Sequence, residues 1–358
     1  MIVFKTLDKK QLQEFVDSGV YKNYDFLPIT KHRAFSQTKN PKADENDVLL
    51  ILAFENEKLA GYLGTFPDNF SINGENIKYA WLSTLFVSEH FRGKRIAQQL
   101  LEKAFESYDG NIAITEFTKE AESLYNKTKL FNYIHPKKGK RYYFRTDFET
   151  IIPSKKPKIA KLKPLFSLVD FFANTVISIK NKFNKKPEFH FEILDKIDAE
   201  SSTFINLFQK NRNSSEINWF IENPWVLENN SPFANYLFSS FSQEFKYFWI
   251  KIFNKNKEIE TCALLQLRDG HLKIPYLFSS KNLNKMASFL SHFIVEKKVK
   301  ILTSYHPKLN EIMNHSTFKK LYKKDFERRY LFHKNLLQNL PENFNPNYQD
   351  GDGDCALT

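Results

Sequence analysis

The stretch Thr84-Leu85-Phe86-Val87-Ser88-Glu89-His90-Phe91-Arg92-Gly93-Lys94-Arg95-Ile96-Ala97-Gln98-Gln99-Leu100-Leu101 decides the reading of this chain. Leu85-Phe86-Val87 is β-rich and stops at a short loop holding Arg92-Gly93. A helix follows, with Ile96, Leu100, Leu101 and Phe105 on one face. In such a strand-loop-helix turn the first helical amides point one way and carry the positive end of the helix dipole, which makes a cradle for phosphate. Arg92, Lys94 and Arg95 crowd the same turn and would add charge-assisted bonds to a pyrophosphate. A solvated helix start has the same basic look, so the turn alone does not choose between them.

Working outward, Ile2 to Leu7 reads as a strand and Lys9 to Ser18 as a helix. Val48 to Phe54 and Leu59 to Phe66 read as a hairpin turning at Glu55-Asn56-Glu57, and Ile77 to Val87 as a longer strand. After the helix at Lys94 to Ser107 come a strand over Ile112 to Thr118, a helix over Glu120 to Lys127 and a closing strand over Tyr142 to Thr146. The order is α+β, a mixed sheet flanked by helices.

Two motifs in this half, in order, carry a family resemblance. Arg92-Gly93-Lys94-Arg95-Ile96-Ala97 resembles the Arg/Gln-x-x-Gly-x-Gly/Ala signature of the GNAT acyl-CoA N-acyltransferase superfamily, with Arg92 first and Ala97 last. Arg95 stands where the family places glycine, so its backbone must avoid positive φ or carry strain. Ala121-Glu122-Ser123-Leu124-Tyr125-Asn126-Lys127, followed by Leu130-Phe131, resembles the family's Ala-x-x-Leu-Tyr-x-x-x-Gly-Phe, with Leu130 in place of glycine. The resemblance covers roughly residues 1 to 150. It implies that the amides of Arg92, Gly93, Lys94, Arg95, Ile96 and Ala97 hold the pyrophosphate of acetyl-CoA, and that the strand Leu85, Phe86 and Val87 bonds the pantetheine through its backbone.

Tyr125 matches the tyrosine that protonates the leaving thiolate in many members, and a phenol near pKa 10 suits a thiolate near pKa 8.5. The alternative is an aromatic wedge packed against pantetheine. An attacking amine must lose a proton, and Glu116, on the strand before that helix, is the candidate base; the alternative is an ordinary surface carboxylate. Upstream, Arg33 has the forked donors that suit an acceptor carboxylate or phosphate, and Asp68 would receive an amine. A surface or interdomain arginine and ordinary Pro-Asp-Asn turn chemistry are the plainer readings of these two.

The second half echoes the first. Leu7-Asp8 recurs as Leu194-Asp195, Asn40-Pro41 as Asn223-Pro224, and Arg141-Tyr142-Tyr143-Phe144 as Arg329-Tyr330-Leu331-Phe332. Offsets of 183 to 188 in order favour duplication. The segment His271 to Phe293 repeats a strand running into a helix without the Arg/Gln-x-x-Gly-x-Gly/Ala loop. The chain is therefore expected to carry a GNAT domain over 1–150 and a basic linker with one helix over 151–187. A degenerate GNAT-like domain over 188–358, which binds no CoA, completes it. Arg212, Asn218, Trp219 and Trp225 would face an acceptor pocket there or lie in its core.

In the linker, Leu165, Leu168, Val169, Phe172, Val176 and Phe183 recur at helical spacing. Lys161, Lys163, Lys180, Lys182, Lys185 and Lys186 flank them. Peripheral contact of residues 163–183 with an anionic membrane is one reading, and packing of the helix into a groove between the domains is the other.

At 358 residues, 42% hydrophobic and 26% charged, the chain is two domains' worth of packed structure and excludes disordered and glycine-repeat classes. The net charge of +12 suits an anionic partner, and a solvated basic surface with no partner suits it as well. Only Cys262 and Cys355 are present, so a disulfide framework is excluded, and a cytoplasmic protein that is neither exported nor membrane-spanning is expected. No His-Glu-x-x-His pair, Gly-x-Ser-x-Gly elbow or nucleic-acid motif is visible, and no metal is expected. Asp350-Gly-Asp-Gly-Asp354 starts like a calcium loop but breaks the pattern at Cys355, and reads as a frayed acidic tail.

The resemblance thus implies an N-acetyltransferase acting on a primary amine. By analogy with two-domain members, the amine belongs to an amino sugar of surface-polysaccharide synthesis. The rival reading is a non-catalytic GNAT-like binding or scaffold module, in which Arg95 has spoiled the cradle.

Overall fold

A computed structural model describes the chain apart from residues 73, 182–185, 209–210, 230–234 and 343. The first half runs β1 (Ile2–Leu7), α1 (Lys9–Asp17), α2 (Lys31–Thr38), β2 (Leu50–Glu55), β3 (Lys58–Ile72) and β4 (Glu75–Val87). Then come α3 (Ile96–Ser107), β5 (Ile112–Thr115), α4 (Lys119–Thr128) and β6 (Phe131–Tyr143). Helices α5 (Phe148–Lys155) and α6 (Lys163–Asn181) follow. The second half runs β7 (Phe191–Leu194), α7 (Ala199–Ile205), α8 (Ser214–Glu222), β8 (Leu227–Glu228), β9 (Phe241–Ser242), β10 (Phe245–Phe253) and β11 (Ile259–Arg268). It closes with β12 (His271–Ser279), α9 (Asn284–Glu296), β13 (Ile301–Ser304), α10 (Pro307–His315), β14 (Tyr322–His333) and α11 (Lys334–Gln338).

Local chemistry accounts for these boundaries. Helix α1 begins at a reciprocal capping box, Asp8 accepting from the Gln11 amide while the Gln11 side chain accepts from the Asp8 amide. Asn213 and Glu216 do the same for α8. The β2–β3 hairpin turns on Asn56 and Glu57, both at positive φ, the handedness a two-residue turn requires.

Contacts gather the chain into two compact units. Unit 1 comprises Met1–Lys137, Asn206–Gln243 and Arg328–Thr358, and unit 2 comprises Lys138–Ile205 and Glu244–Glu327. These interleave along the sequence, unlike the consecutive segments 1–150, 151–187 and 188–358 expected from it. The reason lies in the last strand of each half. Residues 330–332 of β14 pair with 113–115 of β5 in unit 1, while 140–143 of β6 pair with 301–304 of β13 in unit 2.

Each unit has the same plan. Unit 1 orders its strands β1-β2-β3-β4-β5-β14, and unit 2 orders β7-β10-β11-β12-β13-β6. In both, four antiparallel strands precede one parallel pair, β4 with β5 or β12 with β13, and an antiparallel strand follows. The echoed motifs fall at matching places: Leu7 and Leu194 end the first strands, the Asn-Pro pairs follow α2 and α8, and the Arg-Tyr pairs lie on β6 and β14.

Packing of α3 on the sheet buries Ile96, Leu100, Leu101 and Ala104 against Ile51, Ala53, Leu63 and Ile114 in unit 1. In unit 2, α9 buries Met286, Phe289, Leu290, Phe293 and Ile294 against Ile250, Leu265 and Leu302. The aromatic cluster expected in the second domain belongs instead to unit 1. Trp225 is fully buried there and its indole donates to Ser36 Oγ at 3.0 Å.

The expected frayed tail is also corrected. Asp350, Asp352, Cys355, Ala356 and Leu357 are buried in unit 1, because Leu357 O accepts from the Trp225 amide at 2.9 Å and Asp352 accepts from the Gln349 amide and the Asn211 side chain.

Candidate active site

Strand β4 carries the site because it stops pairing on one side. It pairs with β5 through Ala80, Trp81 and Leu82, and from Leu85 to Val87 it pairs with β3 alone. Between Leu82 and Leu85, β4 spends one residue more than β3, a bulge at Ser83-Thr84 that re-aims the strand. Gly64 permits it: a Cβ there would stand 2.7 Å from Thr84 Oγ1. Leu85, Phe86 and Val87 are half-buried beside the split.

Beyond Val87 the loop folds back, the Ser88 amide donating to Ala60 O at 2.9 Å. Gly93 has φ +84, and a Cβ on it would meet nothing within 4 Å, so the turn is open. Arg95 takes φ +58, ψ +24, the left-handed conformation that glycine would adopt, and leaves the start of α3 without a side-chain cap. Holding a non-glycine residue there costs on the order of 1 kcal/mol. The strain anticipated at this substitution is present, and the first amides of Ile96 and Ala97 stand without an intrahelical acceptor. Lys94 is tied to Glu55 at 2.6 Å and Arg92 to Glu89 at 3.1 Å. Among the described residues Arg95 has no ion pair, so its charge is the least neutralised at the turn. An open, uncapped, basic helix start of this kind fits a pyrophosphate.

Tyr125 is buried in the cluster that holds Leu82 and Ile114, against which Leu85 and Val87 pack. Its ring meets Phe117 edge-on at 6.2 Å and Phe131 at 5.7 Å. Burial pushes its phenol above the ordinary value, so it stays protonated through the neutral range.

Glu116 follows β5 directly, at φ +53, exposed, with Oε1 accepting from Arg328 Nε at 2.7 Å. Arg328 is itself buried and also donates to Asp350 O at 2.6 Å.

Arg33 and Asp68 lie deep in unit 1. Arg33 donates to Ser83 Oγ at 2.6 Å and Tyr236 Oη at 3.1 Å, with its guanidinium 3.6 Å over the Trp225 ring. Asp68, 2% exposed, accepts from Lys42 Nζ at 2.9 Å, Tyr79 Oη at 3.2 Å, Trp81 Nε1 at 3.0 Å and Arg212 at 2.5 Å. Burial alone would raise its carboxyl, but Arg212 and Lys42 more than offset this and hold it below its ordinary value. Neither side chain has a donor or acceptor turned to solvent. A polar cavity of about 280 Å³ beside Lys42, Arg212 and Glu216 opens at the Asn76 end of β4, far from the Arg92 loop.

The structure also brings forward residues that sequence reading passes over. Ser83, on the bulge, donates to Asp354 Oδ2 at 2.5 Å. A Cβ on Gly353 would stand 3.4 Å from the Trp81 ring of β4 and 3.6 Å from Thr115 of β5, so half-buried Asp354 lies beside the opening between those strands. Nothing in an acidic, glycine-rich stretch signals that it returns to a strand some 270 residues earlier.

Residues 17–127 match the acetyltransferase (GNAT) family. That stretch is a GNAT-family domain, and the fold of the whole chain is similar to that of GNAT proteins, a tandem one included. A probable N-acyltransferase from Enterococcus faecalis V583, described as a conserved protein of unknown function, is similar over 94% of this chain and 73% of its own, with 11% identity and a TM-score of 0.54. A tandem GNAT protein from the clavulanic acid biosynthesis pathway is similar over 93% of this chain and 98% of its own, with 8% identity and a TM-score of 0.51. No curated protein matches the sequence.

Proposed function

We propose that the chain is a cytoplasmic N-acyltransferase that moves acetyl from acetyl-CoA to a primary amine, with an amino sugar of surface-polysaccharide synthesis as the acceptor class. The observation that carries this reading is the junction from Val87 to Ile96: a strand end released from β5, an open turn and an uncapped helix start with Arg95 in the glycine conformation.

In this reading the amides from Arg92 to Ala97 hold the pyrophosphate and the backbone of Leu85 to Val87 holds pantetheine. The amine nitrogen attacks the thioester carbonyl carbon, the new C–N bond forms, and the C–S bond breaks with its electron pair leaving on sulfur. Tyr125 supplies the proton that the sulfur takes and regains one from solvent; burial keeps the phenol protonated at neutral pH but also makes it a weaker acid. The attacking nitrogen gives up one proton to a carboxylate, which passes it to solvent. Asp354 and Glu116 are the carboxylates beside the opening; Arg328 occupies one oxygen of Glu116, and Ser83 orients Asp354. Arg33 and Asp68 act by fixing the wall, Arg33 through Ser83 and Asp68 through Trp81, in place of gripping the acceptor.

The test is calorimetric titration of the full chain with acetyl-CoA, followed by thiol release across a panel of amines. Micromolar binding with amine-dependent thiol release supports the proposal. No binding at millimolar acetyl-CoA overturns it in favour of a scaffold module.

A further inference from the structure

Helix α6 is built inside out. Its polar face, Asp170, Asn174 and Ser178, is turned toward its own unit. Asp170 accepts from the Glu149 amide at 2.8 Å, Asn174 exchanges hydrogen bonds with the Thr146 backbone at 3.0 Å, and Ser178 accepts from Arg145 at 3.1 Å. Asp170 is the buried residue of the helix. On the opposite side Leu165, Leu168, Val169, Phe172, Val176 and Ile179 fall within one stripe at 100° per residue, and all six are exposed. A helix of a water-surrounded protein has the reverse arrangement, because burial of the apolar stripe is what stabilises it. Groove packing, the plainer expectation for this segment, is therefore not what unit 2 gives α6. Lys182, Phe183 and Lys185 of that expectation lie outside the described residues.

The surrounding charge identifies what covers the stripe. No Asp or Glu occurs from 150 to 169 or from 171 to 187. Lys156, Lys158, Lys161 and Lys163 are exposed before the stripe, and Lys180 and Lys186 after it. By length and composition the helix Pro157–Asn181 is apolar enough to cross a membrane, a property the sequence reading does not expect. Its polar face, however, is held to unit 2 by the hydrogen bonds above, and a crossing helix would have to give them up. An apolar stripe with cationic ends and a tethered polar face suits a helix lying in the interface of an anionic bilayer, with the lysines at headgroup level.

We infer that α6 docks the protein on an anionic lipid surface, its Leu165 to Ile179 stripe entering the acyl boundary and the flanking lysines meeting lipid phosphates. The full chain should float with vesicles of phosphatidylglycerol and phosphatidylcholine, far less with pure phosphatidylcholine, and progressively less as salt rises. Phe172→Ser with Val176→Ser, two exposed positions, should lower the partition coefficient about tenfold or more while leaving circular dichroism and thermal melting unchanged. Flotation of the double variant equal to wild type, or wild type that stays in solution with anionic vesicles, would overturn the inference. Light scattering that shows α6-dependent dimers without vesicle binding would also overturn it, naming a second copy as the occupant.

Discussion

The two strand–loop–helix junctions of this chain share one plan and differ in the turn between strand and helix. In unit 1, β4 ends at Val87 and α3 begins at Ile96, leaving room for a turn with Gly93 at φ +84 and Arg95 at φ +58. In unit 2, β12 ends at Ser279 and α9 begins at Asn284, and no glycine or positive-φ residue lies between. The scaffold around both is the same down to the bulge: β12 spends an extra residue between Lys273 and Tyr276, as β4 does between Leu82 and Leu85. One turn further, the seventh residue of α4 is Tyr125 and the seventh of α10 is Met313, both buried. A thioether packs as a phenol does but has no proton to give. A split strand is thus common to both units, and the open turn with a phenol behind it is found in unit 1.

The sharpest break in that comparison comes from a carboxylate at each helix start. Ala97→Glu should abolish acetyl-CoA binding, lowering affinity beyond what calorimetry detects, because the anion then faces like charge at the positive end of α3. Asn284→Glu, on exposed ground at the start of α9, should leave binding unchanged. Equal losses would show that both junctions bind, and no loss in a folded Ala97→Glu variant would remove the cradle.

The buried charges also differ in sign between the units. Unit 1 rings a buried carboxylate, Asp68, with Lys42 and Arg212, whereas unit 2 rings a buried lysine, Lys251, with Glu192, Asp198 and Glu200, whose side chains remain 38% to 55% exposed. Asp68→Asn takes the nearest carboxylate from two buried cations, leaving Lys42 with Glu216 at 3.8 Å and Arg212 with Asp352 at 3.6 Å, and should cost about 3 kcal/mol in chemical denaturation. Lys251→Met leaves its carboxylates in water and should cost ~1 kcal/mol. The Asp68 carboxyl is held below its unfolded value, so its contribution is full above pH about 4 and fades as pH falls through the folded value. Wild type should lose stability on that acid limb more steeply than Asp68→Asn.

Next in size is Tyr125→Phe, which should lower the maximal rate roughly 10²-fold with little change in acetyl-CoA affinity. Met313→Leu, at the matching place of α10, should leave the rate alone. An unchanged rate in Tyr125→Phe would return the ring to a packing role.

How far the sequence was legible follows the same division. Local periodicity located β1, β4, α3 and α4 within a few residues, and two short motifs pointed to the GNAT-like fold. What it missed is non-local. Arg141-Tyr142 and Arg329-Tyr330 look alike because they are alike, and nothing in either tells which sheet it joins. A chain truncated at 150 lacks residues 330–332, which pair with β5, and should not form unit 1. Helix α2, Lys-His-Arg-Ala-Phe-Ser-Gln-Thr, has no apolar stripe to read, because what it buries includes Arg33, Ser36 and Gln37. Arg33 and Asp68 were visible as charges, but their partners Tyr236, Trp225 and Arg212 lie more than a hundred residues away.

The smallest expected effect tests the one position where this chain departs from the family's loop. Arg95 holds a left-handed conformation that its side chain disfavours, and glycine adopts that conformation without the Cβ conflict. Arg95→Gly should therefore raise the unfolding free energy by at most about 0.5 kcal/mol, the strain relieved less the backbone entropy that glycine adds to the unfolded chain. Its effect on the cofactor separates two uses of the same residue. If the backbone alone matters, acetyl-CoA affinity holds or rises slightly and loses none of its salt dependence. If the guanidinium answers a phosphate, affinity falls by a few fold and its salt dependence becomes shallower, because one cationic contact has gone. Titrations of both proteins at two salt concentrations distinguish these, and a variant that is destabilised would show that the turn relies on the Arg95 side chain for packing instead.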